Sequence, residues 1–317
     1  TPTIEKGSDY FDTTLYTGNG STQTISGLDF SPDLVWLKSR SQAFTHGWYD
    51  AVRGATYRLI SSSTAAEDTL SGVTAFNSDG FTMGGADGSN GSTYTYAAWT
   101  WDAGSSTVTN NDGSITSSVR ANPSAGFSIV SYTSTASGAG TATIGHGLNV
   151  TPSLLIIKNR SWAAPAKGWP TWHSSLGGES LYLDVTAASS STEFNYFFNN
   201  TQPTSTVFSV SSDAVVSAAY RYKSYGGSYN FVAYCFAPVE GYSAFGSYTG
   251  NGSADGPFVY TGFRPRWVMV KCVNTAYGWV ILDTARDSYN LALRQLIPNL
   301  ANAEDAVNEY FRCDLLS

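Results

Sequence analysis

Short apolar runs alternate with polar stretches rich in glycine, serine and threonine along this chain, and one apolar run returns three times. GLDFSPDLVWLKSR occupies residues 27–40, GLNVTPSLLIIKNR residues 147–160, and a shorter GFRPRWVMVK residues 262–271. In each copy a Gly and an apolar residue precede a proline (Pro32, Pro152, Pro265), and five or six largely apolar, β-prone residues then run to a lysine. Such a run has the length of a strand and is too short for a helix, and a proline at its start removes no ladder hydrogen bond. The pattern predicts the buried central strand of a repeated unit.

The flanks repeat as well. Upstream, Tyr16, Tyr132 and Tyr248 stand at equal spacing in YTGNGS, SYTSTASG and SYTGNGS. Downstream, a Gly-Trp pair follows each copy and places Trp48, Trp169 and Trp279 as core markers beside the three prolines. A period this long is a whole domain per repeat, far beyond a solenoid unit. The expected architecture is all-β: three tandem antiparallel β-sandwiches, jelly-roll or concanavalin-like, the third incomplete. The expected boundaries are a lead-in over 1–9, a first repeat over 10–104, a connector over 105–126, a second repeat over 127–241 and a third over 242–317. The first repeat closes with the strand-like TYTYAAWTW, and SYNFVAYCF closes the second. No counterpart follows in the third, so the polypeptide is expected to continue past Ser317. Two stretches, 287–297 and 303–311, carry apolar residues at mixed spacings of three and four and predict short helices.

Composition sharpens this picture. Charged residues make up 13% of the chain and aromatics 14%, against about 25% charged in an average globular chain. A net charge of −7 without a basic run argues against nucleic acid, whose binding needs clustered Lys and Arg. Cys235, Cys272 and Cys313 are odd in number and widely spaced, which suits free thiols better than a disulfide framework or a metal site. No stretch approaches the length of a membrane span, so no membrane insertion is expected.

The motifs YTGNG, GLDFSPDLVWLKSR, VRGAT, NDGSITSSV, AGFSIVSYT, the 230–265 block NFVAYCFAPVEGYSAFGSYTGNGSADGPFVYTGFRP and the terminal DLLS resemble a repeat family in virion proteins of tailed bacteriophages. The resemblance covers essentially the whole chain. It implies a structural virion component, a tail fibre or receptor-binding appendage in an extracellular particle. Its expected partners are other virion proteins, further copies of the chain (a trimer among the options) and a host surface glycan. A secreted tandem carbohydrate-binding protein, a capsid decoration protein and an enzyme trimming surface polysaccharide are the alternatives.

Candidate chemistry is sparse. His46, His146 and His173 fall at different points of their units, and no GxSxG motif accompanies them. Asp50 and Asp283 occupy equivalent repeat positions, each followed three residues later by an arginine, Arg53 and Arg286. Recurrence in two units favours an Asp–Arg pair fixing a strand end over half of a glycosidase acid pair. No catalytic residue, metal ligand or cofactor is expected. The aromatics outside the repeat register, Trp162, Trp172, Tyr220, Tyr222, Tyr225 and Tyr229, are the expected exposed contacts, because Tyr and Trp stack on sugars and anchor interfaces.

Overall fold

The computed structural model describes residues 2–134, 140–161, 168–212, 229–253, 255–289, 291–305 and 313–314. It is mostly β, with several antiparallel sheets.

The first unit contains β1 (Phe11–Thr17), β2 (Gln23–Ser26), β3 (Leu34–Ser39), β4 (Gly47–Asp50), β5 (Gly54–Leu59), β6 (Asp68–Thr69), β7 (Val73–Asn77), β8 (Gly80–Met83), the single-turn helix α1 (Asp87–Asn90) and β9 (Thr95–Trp101). Its main sheet runs β1-β9-β3-β4-β5-β6, and β2-β8-β7 form a second sheet. The proline-led β3 is buried along its whole length. It can be so because β9 and β4 satisfy its two edges while apolar side chains cover both faces. On one face Val35, Leu37, Tyr49, Tyr96 and Ala98 meet Ile25, Val73, Phe81 and Met83 from the second sheet.

The second unit contains β10 (Thr107–Asn110), β11 (Ser117–Asn122), β12 (Phe127–Thr133), β13 (Gly140–Gly145), β14 (Leu154–Asn159), β15 (Pro170–His173), β16 (Leu181–Tyr182), helix α2 (Ser191–Phe198), β17 (Val207–Ser212) and β18 (Asn230–Phe236). Its main sheet runs β10-β11-β12-β18-β14-β15-β16, and β13 pairs with β17. The segment expected as a connector thus supplies two strands. Its buried residues Ile115, Ser117 and Val119 fall two apart, a strand period in which a serine holds one inward place. Ser190 caps α2 by accepting the Glu193 N–H, and Asn199 ends it in the left-handed region. Between them Phe194, Phe197 and Phe198 form a buried stripe against β17.

The third unit contains β19 (Trp267–Lys271) and β20 (Trp279–Asp283), paired with each other. The helices expected over 287–297 and 303–311 differ from what is found. Residues 291–297 run without a helix, a turn follows at 298–299, and the chain returns through 305, with the bridges Ile281 to Leu296, Ala292 to Cys313 and Gln295 to Asp305. Residues 306–311 lie outside the described residues. Here Leu296 is drawn inward by a single bridge, and its neighbours belong to different partners, so mixed spacing did not signify a helical face.

The main sheets turn their other faces to one another. Trp36, Trp48, Trp99 and Trp101 of the first unit, Ile129, Ile156, Trp169 and Tyr234 of the second, and Trp279, Ile281 and Leu296 of the third pack in one cluster. The three units therefore share a single aromatic core.

Candidate functional site

Strand pairing sets the correspondence between units. Lys38 lies beyond the Leu37 to Gly47 pair, opposite His46, as Lys271 lies opposite Trp279. Trp48 pairs with Trp36, Thr171 with Ile156 and Ile281 with Met269. Trp48 therefore sits two residues away from the position of Trp169 and Trp279, and the Gly-Trp marker of the first repeat requires correction. Its true counterpart is His46. The hydrogen bonds agree: Trp169 Nε1 donates to Ile60 O (3.0 Å), Trp279 Nε1 to Tyr182 O (2.8 Å), and His46 Nε2 lies 3.0 Å from Ile297 O. In each case a side chain of one unit reaches a backbone carbonyl of another.

Trp36 Nε1 donates to His46 Nδ1 at 2.9 Å, so the imidazole carries its proton on Nε2 and donates to Ile297 O. Burial, followed by the nearby Lys38 charge, holds its pKa well below the ordinary histidine value. Trp48 Nε1 is buried without a hydrogen-bond partner among the described residues.

The repeated acids form clamps. Asp50 Oδ1 accepts the backbone N–H groups of Val52 and Arg53, and Oδ2 accepts Arg53 Nε at 2.5 Å, with both side chains fully buried. Arg53 also reaches Trp48 O, Tyr57 O and Glu67. Arg160 of the second unit grips Glu67 through two bonds of 2.9 Å, and Tyr234 donates its hydroxyl to Asp50 Oδ2 at 2.7 Å. The same device joins the third unit to the first. Asp283 holds Arg286, Arg286 reaches Glu304, Arg40 grips Glu304 at 2.8 and 2.9 Å, and Trp99 Nε1 donates to Asp283 Oδ2 at 3.0 Å. The Asp–Arg pairs thus fix strand ends as their spacing predicts, and they also bind units together.

Between the second and third units the charged part of the device is absent, and what remains is a backbone bond with the Ser189 hydroxyl donating to the same carbonyl, Val273 O, at 3.1 Å. Ser189 N donates to Val273 O (2.8 Å), as Glu67 N does to Arg160 O (2.9 Å) and Glu304 N to Arg40 O (2.8 Å). At the matching side-chain places stand His173, Leu176, Ser189 and Val273. None of the four places carries the acid or arginine found at the other junctions, so no partner is left as an unpaired buried charge.

The three lysines cap carbonyls. Lys38 Nζ donates to Ser39 O and Gln42 O, Lys158 Nζ to Asn159 O and across the junction to Thr64 O, and Lys271 Nζ to Cys272 O and across to Thr186 O. Burial lowers Lys38 and Lys158 to about 8.

Trp172, expected as an exposed contact, is a core residue at 1% exposure, donating Nε1 to Gly177 O. It points into the second unit's own cluster because it pairs with Leu155, on the face away from the shared core. Trp162, Tyr220, Tyr222 and Tyr225 lie outside the described residues. Tyr229 is exposed immediately before β18. Pro32, Pro152 and Pro265 each stand two residues before the central strand of their unit. Among the described residues the most exposed aromatics escaped the sequence reading: Phe258, Tyr260, Tyr277 and Tyr289, all in the third unit.

Among the described residues no group of three His, Cys, Asp or Glu side chains could hold a metal ion. No helix among them is long and apolar enough to cross a membrane. His146 is engaged with Thr204 O and the Leu148 N–H, and His173 Nδ1 accepts the Ser175 N–H.

Fold and site together define a mostly β protein whose several antiparallel sheets are joined by buried polar clamps. The chain belongs to the family described as a domain of unknown function, DUF7483, whose model matches residues 6–317. Comparison with curated proteins and with solved structures finds no match.

Proposed function

We propose that the protein is a structural component of a tailed-phage virion, within it a tail fibre or receptor-binding appendage that meets the host surface, and that it works by contact and not by turnover. The observation that carries this reading is the shared core. Three units fastened through buried ion pairs make a block whose ionisable side chains serve cohesion. The charge-poor composition, the exposed tyrosines Tyr229, Tyr277 and Tyr289 and the resemblance of the repeats to phage virion proteins support the same reading. In this account the first two units are two-layer sandwiches whose main sheets face the common core and whose smaller layers face outward. Other virion proteins, further copies of the chain and a host glycan are the partners it implies.

Mass spectrometry of purified particles should find the chain in stoichiometric amount, and gold-labelled antibody should mark the tail. Label on the capsid shell would favour a decoration role, and a chain absent from particles would overturn the proposal. The exposed tyrosines also suit a secreted carbohydrate-binding protein. A glycan array separates the two readings: sugar binding by a chain that particles lack supports the second.

A further inference from the structure

The three junctions make one backbone contact and differ in what fastens it. The amides of Glu67, Ser189 and Glu304 each donate to a carbonyl just past the end of a neighbouring unit's central strand, Arg160 O, Val273 O and Arg40 O. Around this shared frame, Arg160 adds two bonds to Glu67 and Tyr234 one to Asp50, between the first and second units. Arg40 adds two to Glu304 and Trp99 one to Asp283, between the third and first. The same two junctions gain further ties, Arg120 to Asp33 at 2.6 Å and Ser61 Oγ to Pro298 O at 2.9 Å.

Between the second and third units, the bonds that cross among the described residues are Trp279 to Tyr182 O, Lys271 to Thr186 O, and the Ser189 amide and hydroxyl to Val273 O. Every acceptor there is a backbone carbonyl. Bonds to a carboxylate are roughly twice as strong as neutral ones, so this junction has less to break. It also stands apart from the strand ends it touches. Glu67 holds Arg53 as well as Arg160, and Glu304 holds Arg286 as well as Arg40. Neither charged junction can therefore part without loosening the pair that fixes a strand end. In the second unit His173 accepts from Ser175, and the Ser189 hydroxyl also reaches Glu179, both within the unit. Those contacts stay whole whether or not the third unit is docked.

We infer that the junction of the second and third units is a hinge: in the folded molecule it parts while the other two stay closed, and the third unit travels with the first as one body. The connection from β18 to β19, residues 237–266, contains no helix or ladder strand among the described residues, so it permits the separation. The hinge follows from the residues at the three junctions and is independent of the virion reading.

Native-state hydrogen exchange of the 317-residue chain follows the three amides directly. Corrected for intrinsic rates, Ser189 should exchange at least about tenfold faster than Glu67 and Glu304, and with a weaker urea dependence, because a partial opening exposes less surface. The Trp279 indole N–H should share the opening of Ser189, whereas fraying of the backbone alone would release the amide and spare the buried ring. Grafting the clamp, by His173→Asp, Leu176→Arg, Ser189→Glu and Val273→Arg together, should slow both probes at least about tenfold and leave positions 67 and 304 unchanged. That graft separates the missing clamp from every other difference between the junctions. The inference fails if all three amides exchange through one global opening, or if the Trp279 indole stays protected while Ser189 exchanges. It fails equally if the folded graft leaves both probes as fast as before. Should the graft not fold, Glu67→Ser with Arg160→Val gives the converse test: exchange at position 67 should quicken at least about tenfold, and an unchanged rate overturns the hinge.

Discussion

Glu67 serves two arginines from two units, and neither guanidinium has another carboxylate within the clamp to fall back on except Asp50 for Arg53. Removing the charge while keeping the shape should therefore be severe. Glu67→Gln is expected to lower the unfolding free energy by about 3 to 5 kcal/mol, the cost of breaking a buried pair, and Glu304→Gln by a similar amount. Ser189→Ala, at the matching place of the junction that lacks the ion pairs, removes only the hydroxyl bonds to Glu179 and Val273 O and should cost about 1 to 2 kcal/mol. Urea titration of the three variants checks the contrast.

Three buried bases, His46, Lys38 and Lys158, give pH signatures of the same sign. The folded pKa of His46 lies below its ordinary value. Its contribution is complete above about pH 6.5 and is lost as pH falls towards the folded value. Asp33 and Asp184 act oppositely, since burial raises each to about 6; what they contribute is present below the ordinary carboxylate range and disappears as pH rises through about 6. The stability difference between wild type and His46→Gln isolates the imidazole: flat above neutrality, shrinking below it. Lys38 and Lys158, lowered to about 8, release protons on folding between pH 8 and the ordinary lysine value, because the folded chain has given them up where the unfolded chain still holds them. Over that window wild type should gain stability relative to the double variant Lys38→Met and Lys158→Met, read from unfolding free energies measured across the same pH range.

At the level of strands and loops, the proline-led runs were legible because the first four residues of β3 and of β14 are all apolar and buried, a signal that needs no knowledge of partners. The glycines that open them were legible too. Gly27, Gly147 and Gly262 all take positive φ, which an L side chain resists. Gly27→Ala should cost about 1 kcal/mol, and Gly147→Ala more, since its Cβ would also stand 2.9 Å from Val119 Cγ1; urea midpoints rank them. The Gly-Trp register was misread for a physical reason. An indole in the second and third units and an imidazole in the first perform the same donation, and the sequence offers Trp48 two residues away as a decoy. β10 and β11 were hidden because serine fills an inward place. The clamps were half visible: Asp50 with Arg53 is local, whereas Arg160 and Arg40 come from other units and no local pattern announces them.

The repeat in the sequence suggests three objects in a row, but the packing makes them interdependent. Trp36, Trp48, Trp99 and Trp101 rest against Ile156, Trp169, Tyr234 and Trp279, and a chain ending at Gly104 would expose them. Residues 1–104 alone are expected to be unfolded or aggregated, with the flat exchange and poor amide dispersion of an unpacked chain, whereas the intact chain should unfold in one cooperative transition by calorimetry. The junctions follow one another in a closed order, first to second, second to third and third back to first. Three identical grips closing on themselves are what a rotationally symmetric trimer of separate subunits would make. Once the copies are fused on a single chain they are free to diverge, and the joint bearing His173 and Val273 shows that freedom. A designer could therefore number the faces of this molecule, because one seam has lost the key that the other two still share.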